Sequence, residues 1–260
     1  MLLSLSVVSV LLLLSTETVE DFVSAPTETT VNENSIHITA IIDIIFLVGP
    51  SGGGKTTVSR LARRFWDADS GKITVGGIDI SKIEPETLLS LYSIVFKMLH
   101  YLITQLWRIS VSVEKMPQMK EVLKAAKLAN CDEFAKKLPN GYNSEIGENG
   151  CELSRGERQR ISIASAFLND APIILLDEAT ASLDVENETL IQNALSKLIK
   201  DKTVLIIAYR MRTVAYADKI VVLANGTVAE SGTPTELAKQ NGIYSYMASL
   251  QKQSNSWTIK

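Results

Sequence analysis

The sequence predicts an α/β fold with a mostly parallel core sheet, and three observations carry that expectation. The runs Ile173–Leu176, Thr203–Ile207 and Ile220–Leu223 are rich in Val, Ile and Leu without polar alternation, as strands buried on both faces are. A fourth apolar run, Ile41–Val48, leads directly into Gly49-Pro50-Ser51-Gly52-Gly53-Gly54-Lys55-Thr56-Thr57, giving strand, glycine-rich turn and helix in succession. Segments with apolar residues at helical spacing separate these runs, the arrangement expected of crossover helices packed on a parallel sheet.

The glycine-rich stretch fits G-x-x-x-x-G-K-[ST], a loop whose backbone N–H groups curl inward around a phosphate and whose following helix adds its positive end. Lys55 is the expected point charge for the β/γ-phosphates, and the Thr56 hydroxyl the expected Mg²⁺ ligand. The helix that follows presents Val58, Leu61, Ala62 and Phe65 along one face.

Composition bounds what such a site can serve. The chain has 260 residues, 46% hydrophobic and 21% charged, enough for one large or two small domains with a sizeable core. A net charge of −3 and a pI near 5.6 give no electrostatic case for nucleic acid as a partner. Cys131 and Cys151 match neither a disulfide framework nor a metal-ligand spacing and read as reduced thiols.

In chain order, Leu2–Leu14 is apolar apart from serines but shorter than the ~20 residues a membrane helix needs, and no Lys or Arg precedes it as in a signal peptide. Residues 15–38, rich in Thr, Glu, Asn and Ser, read as a linker. After the loop helix, Ser70–Ile80 reads as two short strands about Gly76-Gly77. Residues 86–113 carry apolar clusters without a clean period. From Met119 to Leu138 a helix is expected with Val122, Ala125, Ala126 and Ala129 on one face, ended by Pro139-Asn140-Gly141.

Leu153-Ser154-Arg155-Gly156-Glu157 opens another helix, with Ile161, Ala164 and Leu168 on its apolar face. Ser154 and Glu157 have the spacing of a capping box. The same serine, glycine and helix start could instead meet a phosphate of a second molecule, and local spacing leaves both readings open. The run Ile173–Leu176 ends in Asp177-Glu178, where a carboxylate can hold Mg²⁺ (Asp177) and its neighbour can orient or deprotonate a water attacking the γ-phosphate (Glu178). Asn225-Gly226 is a type I′ hairpin signal, Thr235–Leu250 reads as a closing helix, and residues from Lys252 on as a frayed tail.

These ordered motifs resemble the nucleotide-binding domain of an ATP-binding-cassette (ABC) transporter. The resemblance runs from about Phe46 to Leu250. It rests on the phosphate loop, Arg64-Phe65-Trp66-Asp67 with Ser70-Gly71, Leu138-Pro139-Asn140-Gly141-Tyr142, the signature at 153–157, the carboxylate strand and Ser182-Leu183-Asp184. It implies a P-loop NTPase fold with an antiparallel β part near the N-terminus and a helical insert at about residues 99–168, within a domain spanning 39–250. Residues 1–38 and 251–260 would flank that domain, with Leu2–Leu14 resembling the end of a membrane helix.

The wording is most similar to multidrug and lipid exporters. That implies ATP and Mg²⁺ as cofactors, a second nucleotide-binding domain in a head-to-tail dimer, a transmembrane domain as partner, and a place on the cytoplasmic side of a membrane. Gly49–Thr57, Lys97, Ser154, Gly156 and Asp177 would contact nucleotide, with Thr56 and Asp177 on the metal and Lys55, Glu178 and Tyr209 in hydrolysis.

Four departures from the family pattern touch this site. Lys97 follows Val95-Phe96 where the family has a metal-sensing glutamine, and an ammonium can neither accept a hydrogen bond nor ligate a cation. Tyr209 stands at the switch histidine and donates one hydrogen bond without imidazolium charge. Arg155 replaces the first signature glycine, and residues 27–45 hold no aromatic to stack on a base. Three functions fit the residues: the ATPase of an exporter, a cassette that binds Mg-ATP and dimerises but hardly turns over, and a non-transport ATPase on DNA or ribosomes, which the acidic pI disfavours.

Overall fold

The computed structural model describes residues 44–69, 71–95, 118–144, 153–177, 185–208, 214 and 217–255. In chain order the elements are β1 (Ile44–Val48), α1 (Lys55–Ala62), β2 (Thr74–Val75), β3 (Ile78–Asp79), α2 (Pro85–Ser90), β4 (Tyr92–Val95), α3 (Met119–Leu128), α4 (Asp132–Ala135) and α5 (Arg155–Asn169). Then follow β5 (Ile173–Asp177), α6 (Val185–Leu198), β6 (Thr203–Ile207), β7 (Lys219–Ala224), β8 (Thr227–Gly232), α7 (Pro234–Lys239) and α8 (Ile243–Asn255). The chain forms two compact units, one reaching to Leu89 and resuming at Leu205, the other Ser90–Val204.

In the first unit β1 pairs in parallel with β7, Phe46 opposite Ile220 and Val48 opposite Val222. Leu47, Val48, Val221 and Val222 are fully buried, so the unbroken apolar runs reflect strands covered on both faces. β8 returns antiparallel to β7 through Asn225-Gly226, whose φ values of 50° and 75° are both positive, as a type I′ turn requires. β2 and β3 form the expected hairpin about Gly76-Gly77. Phe46, Val48, Ile220, Val222, Leu237 and Tyr244 share one core cluster.

The loop helix is shorter than its spacing predicts. Arg64 takes a left-handed φ of 56°, and the Phe65 and Arg64 N–H groups donate to the Arg60 and Leu61 carbonyls, closing α1 with a Schellman motif at a non-glycine residue. Phe65 therefore leaves the buried face and is 53% exposed, with the Arg63 guanidinium over its ring. The closing helix is likewise two helices. α7 starts at a capping box of Thr233 and Glu236, and α8 begins where the Glu230 carboxylate on β8 accepts from the Ile243 and Tyr244 N–H groups. That remote cap supplies the acceptors a helix start needs and lets the chain break at residues 240–242. Helix α8 itself runs on to Asn255, past the point expected to fray.

In the second unit β4 and β5 pair in parallel, Val95 opposite Leu176, with the helices α3, α4 and α5 lying between them in sequence. The single helix expected over Met119–Leu138 is interrupted. Asn130 adopts a φ of 58°, and Cys131 and Asn130 donate to Ala126 and Lys127, a second Schellman closure before α4 starts. The expected face of α3 is buried through Val122, Ala125, Ala126 and Ala129. Asn169, near the end of α5, donates to the Tyr92 carbonyl at 2.9 Å and to Ser93 Oγ at 3.0 Å, tying that helix to β4.

Cys131 is a free thiol, 1% exposed, and burial pushes it up to about 12. Because the thiolate is the reactive form, Cys131 should resist iodoacetamide at pH 8 in the folded protein and react promptly in denaturant. Peptide mapping by mass spectrometry separates it from Cys151; labelling of native Cys131 at the rate seen in denaturant would contradict its burial.

Candidate active site

Gly49 ends β1 with a φ of 137°, Gly52 has 77°, and Gly54 caps α1 in the left-handed region at 101°. No side chain caps α1 and no acidic residue sits in its first turn. A helix start so left presents its N–H groups and positive end to an incoming anion. Within the loop the Gly53 N–H donates to the Pro50 carbonyl at 3.1 Å.

Two of the glycines answer a packing demand absent from the local pattern. A Cβ on Gly49 would stand 2.0 Å from the Leu223 carbonyl oxygen, and one on Gly53 would stand 2.6 Å from it. The Gly226 N–H also donates to the Gly53 carbonyl at 3.3 Å. The loop is thus laid directly on the end of β7 and its hairpin turn, residues about 170 positions away whose pairing no spacing rule reveals.

Lys55 is 3% exposed, and its Nζ donates to the Gly49 and Pro50 carbonyls at 2.9 Å each. The ammonium is held by the loop it belongs to, so a phosphate arriving there meets a charge already positioned. Thr56 and Thr57 follow on α1, both half-buried, and the Thr56 hydroxyl makes no hydrogen bond among the described residues, leaving its lone pairs available to a cation. Mg²⁺ commonly takes one or two protein oxygens and completes its shell with phosphates and water, and the Thr56 hydroxyl suits that demand.

In the second unit Ser154 caps α5. Its Oγ accepts from the Glu157 N–H at 3.2 Å, and Glu157 Oε2 accepts from the Ser154 N–H at 2.7 Å, so the capping box is formed. Arg155 is exposed, whereas Gly156 is buried against Asn187 of α6. Asp177 ends β5 half-buried, one residue beyond the Val95–Leu176 pair. Lys97, Glu178 and Tyr209 lie outside the described residues.

The ABC transporter family pattern matches residues 41–181, more than half of the chain. The chain belongs to the ABC transporter family. This ABC cassette is 44% identical over 208 residues to the ATP-dependent lipid A-core flippase of Vibrio parahaemolyticus, covering 80% of this chain and 36% of that protein. It is 41% identical over 210 residues to YgaD of Bacillus subtilis, named as a multidrug export ATP-binding/permease protein, again covering 80% and 36%. A solved bacterial Atm1-family ABC exporter with ATP bound superposes with a TM-score of 0.77 at 33% identity, over 87% of this chain and 39% of that one. The cassette thus spans about a third of the length of the curated relatives it matches, has the mostly parallel P-loop NTPase fold, and is an ATPase domain of the ABC type. Among the described residues no helix is long and apolar enough to cross a membrane.

Proposed function

We propose that this cassette hydrolyses Mg-ATP as one half of a head-to-tail dimer and so powers an exporter that moves lipids or drug-like apolar molecules, through a transmembrane domain on whose cytoplasmic side it sits. The observation that supports this most is the phosphate loop: an uncapped helix start with a buried ammonium held at its mouth by two loop carbonyls. The cargo class follows the names of the relatives, a lipid flippase and a multidrug export protein.

In this reading the N–H groups of Gly52–Thr57 bind the β- and γ-phosphates, and Lys55 exchanges its carbonyl partners for phosphate oxygens. Thr56 and Asp177 would hold Mg²⁺, which when bound would supply positive charge to the transferring phosphoryl group. Glu178 takes a proton from the attacking water as the bond from the γ-phosphorus to the β,γ-bridging oxygen breaks and ADP leaves. Tyr209 would serve as a hydrogen-bond donor to the γ-phosphate, and Lys97 would bring a positive charge in place of a metal-sensing amide. Ser154 and Gly156 offer the start of α5 to the nucleotide held by the second copy.

The test uses the serine's two roles. Glu178→Gln should bind Mg-ATP and accumulate as a dimer on size exclusion, because only the water-activating carboxylate is lost. In that background Ser154→Ala should cost about 1 kcal/mol of stability and weaken the dimer, since cap and phosphate donor go together. Ser154→Asp keeps a good cap but sets a carboxylate against phosphate, so it should melt like the parent and fail to dimerise. An ATP-driven dimer of undiminished strength in Ser154→Asp would remove Ser154 from the proposed site.

A further inference from the structure

Helix α5 begins at Arg155, and α6 begins at Val185, directly after Ser182-Leu183-Asp184. The two helices pack on one another. Gly156 lies in the first turn of α5, and its backbone is in an ordinary helical conformation that any residue can adopt. Its need for glycine is therefore one of space. A Cβ there would meet Asn187 Cγ at 2.6 Å, Oδ1 at 2.7 Å and Cβ at 3.0 Å, which is overlap rather than contact. The Asn187 side chain occupies the volume that any other residue at position 156 would require.

This contact sits two residues from Ser154, whose Oγ and N–H complete the cap of the same turn. We propose that Asn187 is a positioning residue for ATP hydrolysis: its side chain is the seat that fixes where the first turn of α5 stands, acting through Gly156. Closely packed interiors transmit such a constraint because neither helix can yield without losing contacts elsewhere. The proposal rests on the reading that the start of α5 meets the nucleotide of a second copy. It adds that the placement of this start is set by α6, the helix that continues from residues 182–184, so any shift of α6 is passed to the phosphate-facing turn.

A double-mutant cycle tests it on the full chain, read by turnover at saturating Mg-ATP, by affinity for the fluorescent analogue trinitrophenyl-ATP, and by thermal midpoint. Gly156→Ala should lower turnover by about tenfold or more, since displacement near 1 Å at a reacting centre can cost ~10²-fold, while analogue affinity at the Lys55 loop stays at the parent value. Adding Asn187→Ala removes the two closest atoms, Cγ and Oδ1, and should restore most of the lost turnover, a coupling that independent sites would not show. Asn187→Ala alone should lower turnover with unchanged analogue affinity. A folded double variant as slow as Gly156→Ala overturns the seat, as does a Gly156→Ala chain that loses analogue affinity in proportion to turnover. Should Gly156→Ala fail to fold, Asn187→Gln, which lengthens the seat, must show the same split between turnover and affinity. A parent chain with neither turnover nor an ATP-driven dimer would overturn the functional reading itself, and the seat with it, whereas a working parent without rescue overturns only the seat.

Discussion

Lys55→Ala is expected to weaken Mg-ATP binding by roughly 10- to 10²-fold, because hydrogen bonds to charged groups are worth about 1.5–3 kcal/mol each and 1.4 kcal/mol is tenfold in affinity. Two such bonds to phosphate oxygens would give a gross loss near 3–6 kcal/mol, reduced by the two carbonyl bonds that Lys55 gives up on binding. The substitution also has a structural side. Gly49 is buried, so its carbonyl loses its ammonium partner, whereas Pro50 is exposed and water can replace the bond. Lys55→Met keeps the aliphatic stem and removes only the charge, which makes it the control. Titration with trinitrophenyl-ATP should show both variants saturating only at correspondingly higher concentration, with Lys55→Met folded by circular dichroism. Parent-like affinity in Lys55→Met would mean that nucleotide, if it binds, does not use this loop.

What the sequence made legible was whatever is encoded within a few residues. The strand, glycine-rich turn and helix about Gly49–Thr57, the capping box of Ser154 and Glu157, the I′ turn at Asn225-Gly226 and the buried face of α3 all have the local form expected, because each partner lies within one turn of the other. The errors share a different cause. Helix spacing continued through Arg64 and Asn130, but both residues turn left-handed, and neither is the glycine that usually announces such a stop. The break between α7 and α8 depends on Glu230, a carboxylate on β8 that caps from outside the helix. The demands on Gly49, Gly53 and Gly156 come from Leu223 and Asn187, which periodicity cannot pair with them. A pattern records which face of an element is apolar; it does not record what that face will touch.

The same distinction yields the largest expected effect on stability. Gly49 and Gly52 both belong to the phosphate loop, and both have positive φ, yet their surroundings differ. At Gly52 an added Cβ finds nothing within 4 Å, so Gly52→Ala bears only the conformational cost, roughly 1–2 kcal/mol for an L-residue in the left-handed region. At Gly49 the φ of 137° lies in territory that only glycine enters readily, costing about 1–3 kcal/mol, and the Cβ would sit 2.0 Å from the Leu223 carbonyl oxygen. That oxygen belongs to β7, which is paired to β1 residue by residue through Val48–Val222 and cannot retreat without opening the ladder. Overpacking of this kind adds about 1–3 kcal/mol. Gly49→Ala should therefore lose about 2–6 kcal/mol, a large part of the 5–15 kcal/mol that typically holds a domain folded. Its thermal midpoint should fall by roughly 8–16 °C for a 4 kcal/mol loss, against a few degrees for Gly52→Ala. Differential scanning calorimetry of the two variants beside the parent decides the matter, and equal midpoints would mean that the loop does not rest on β7.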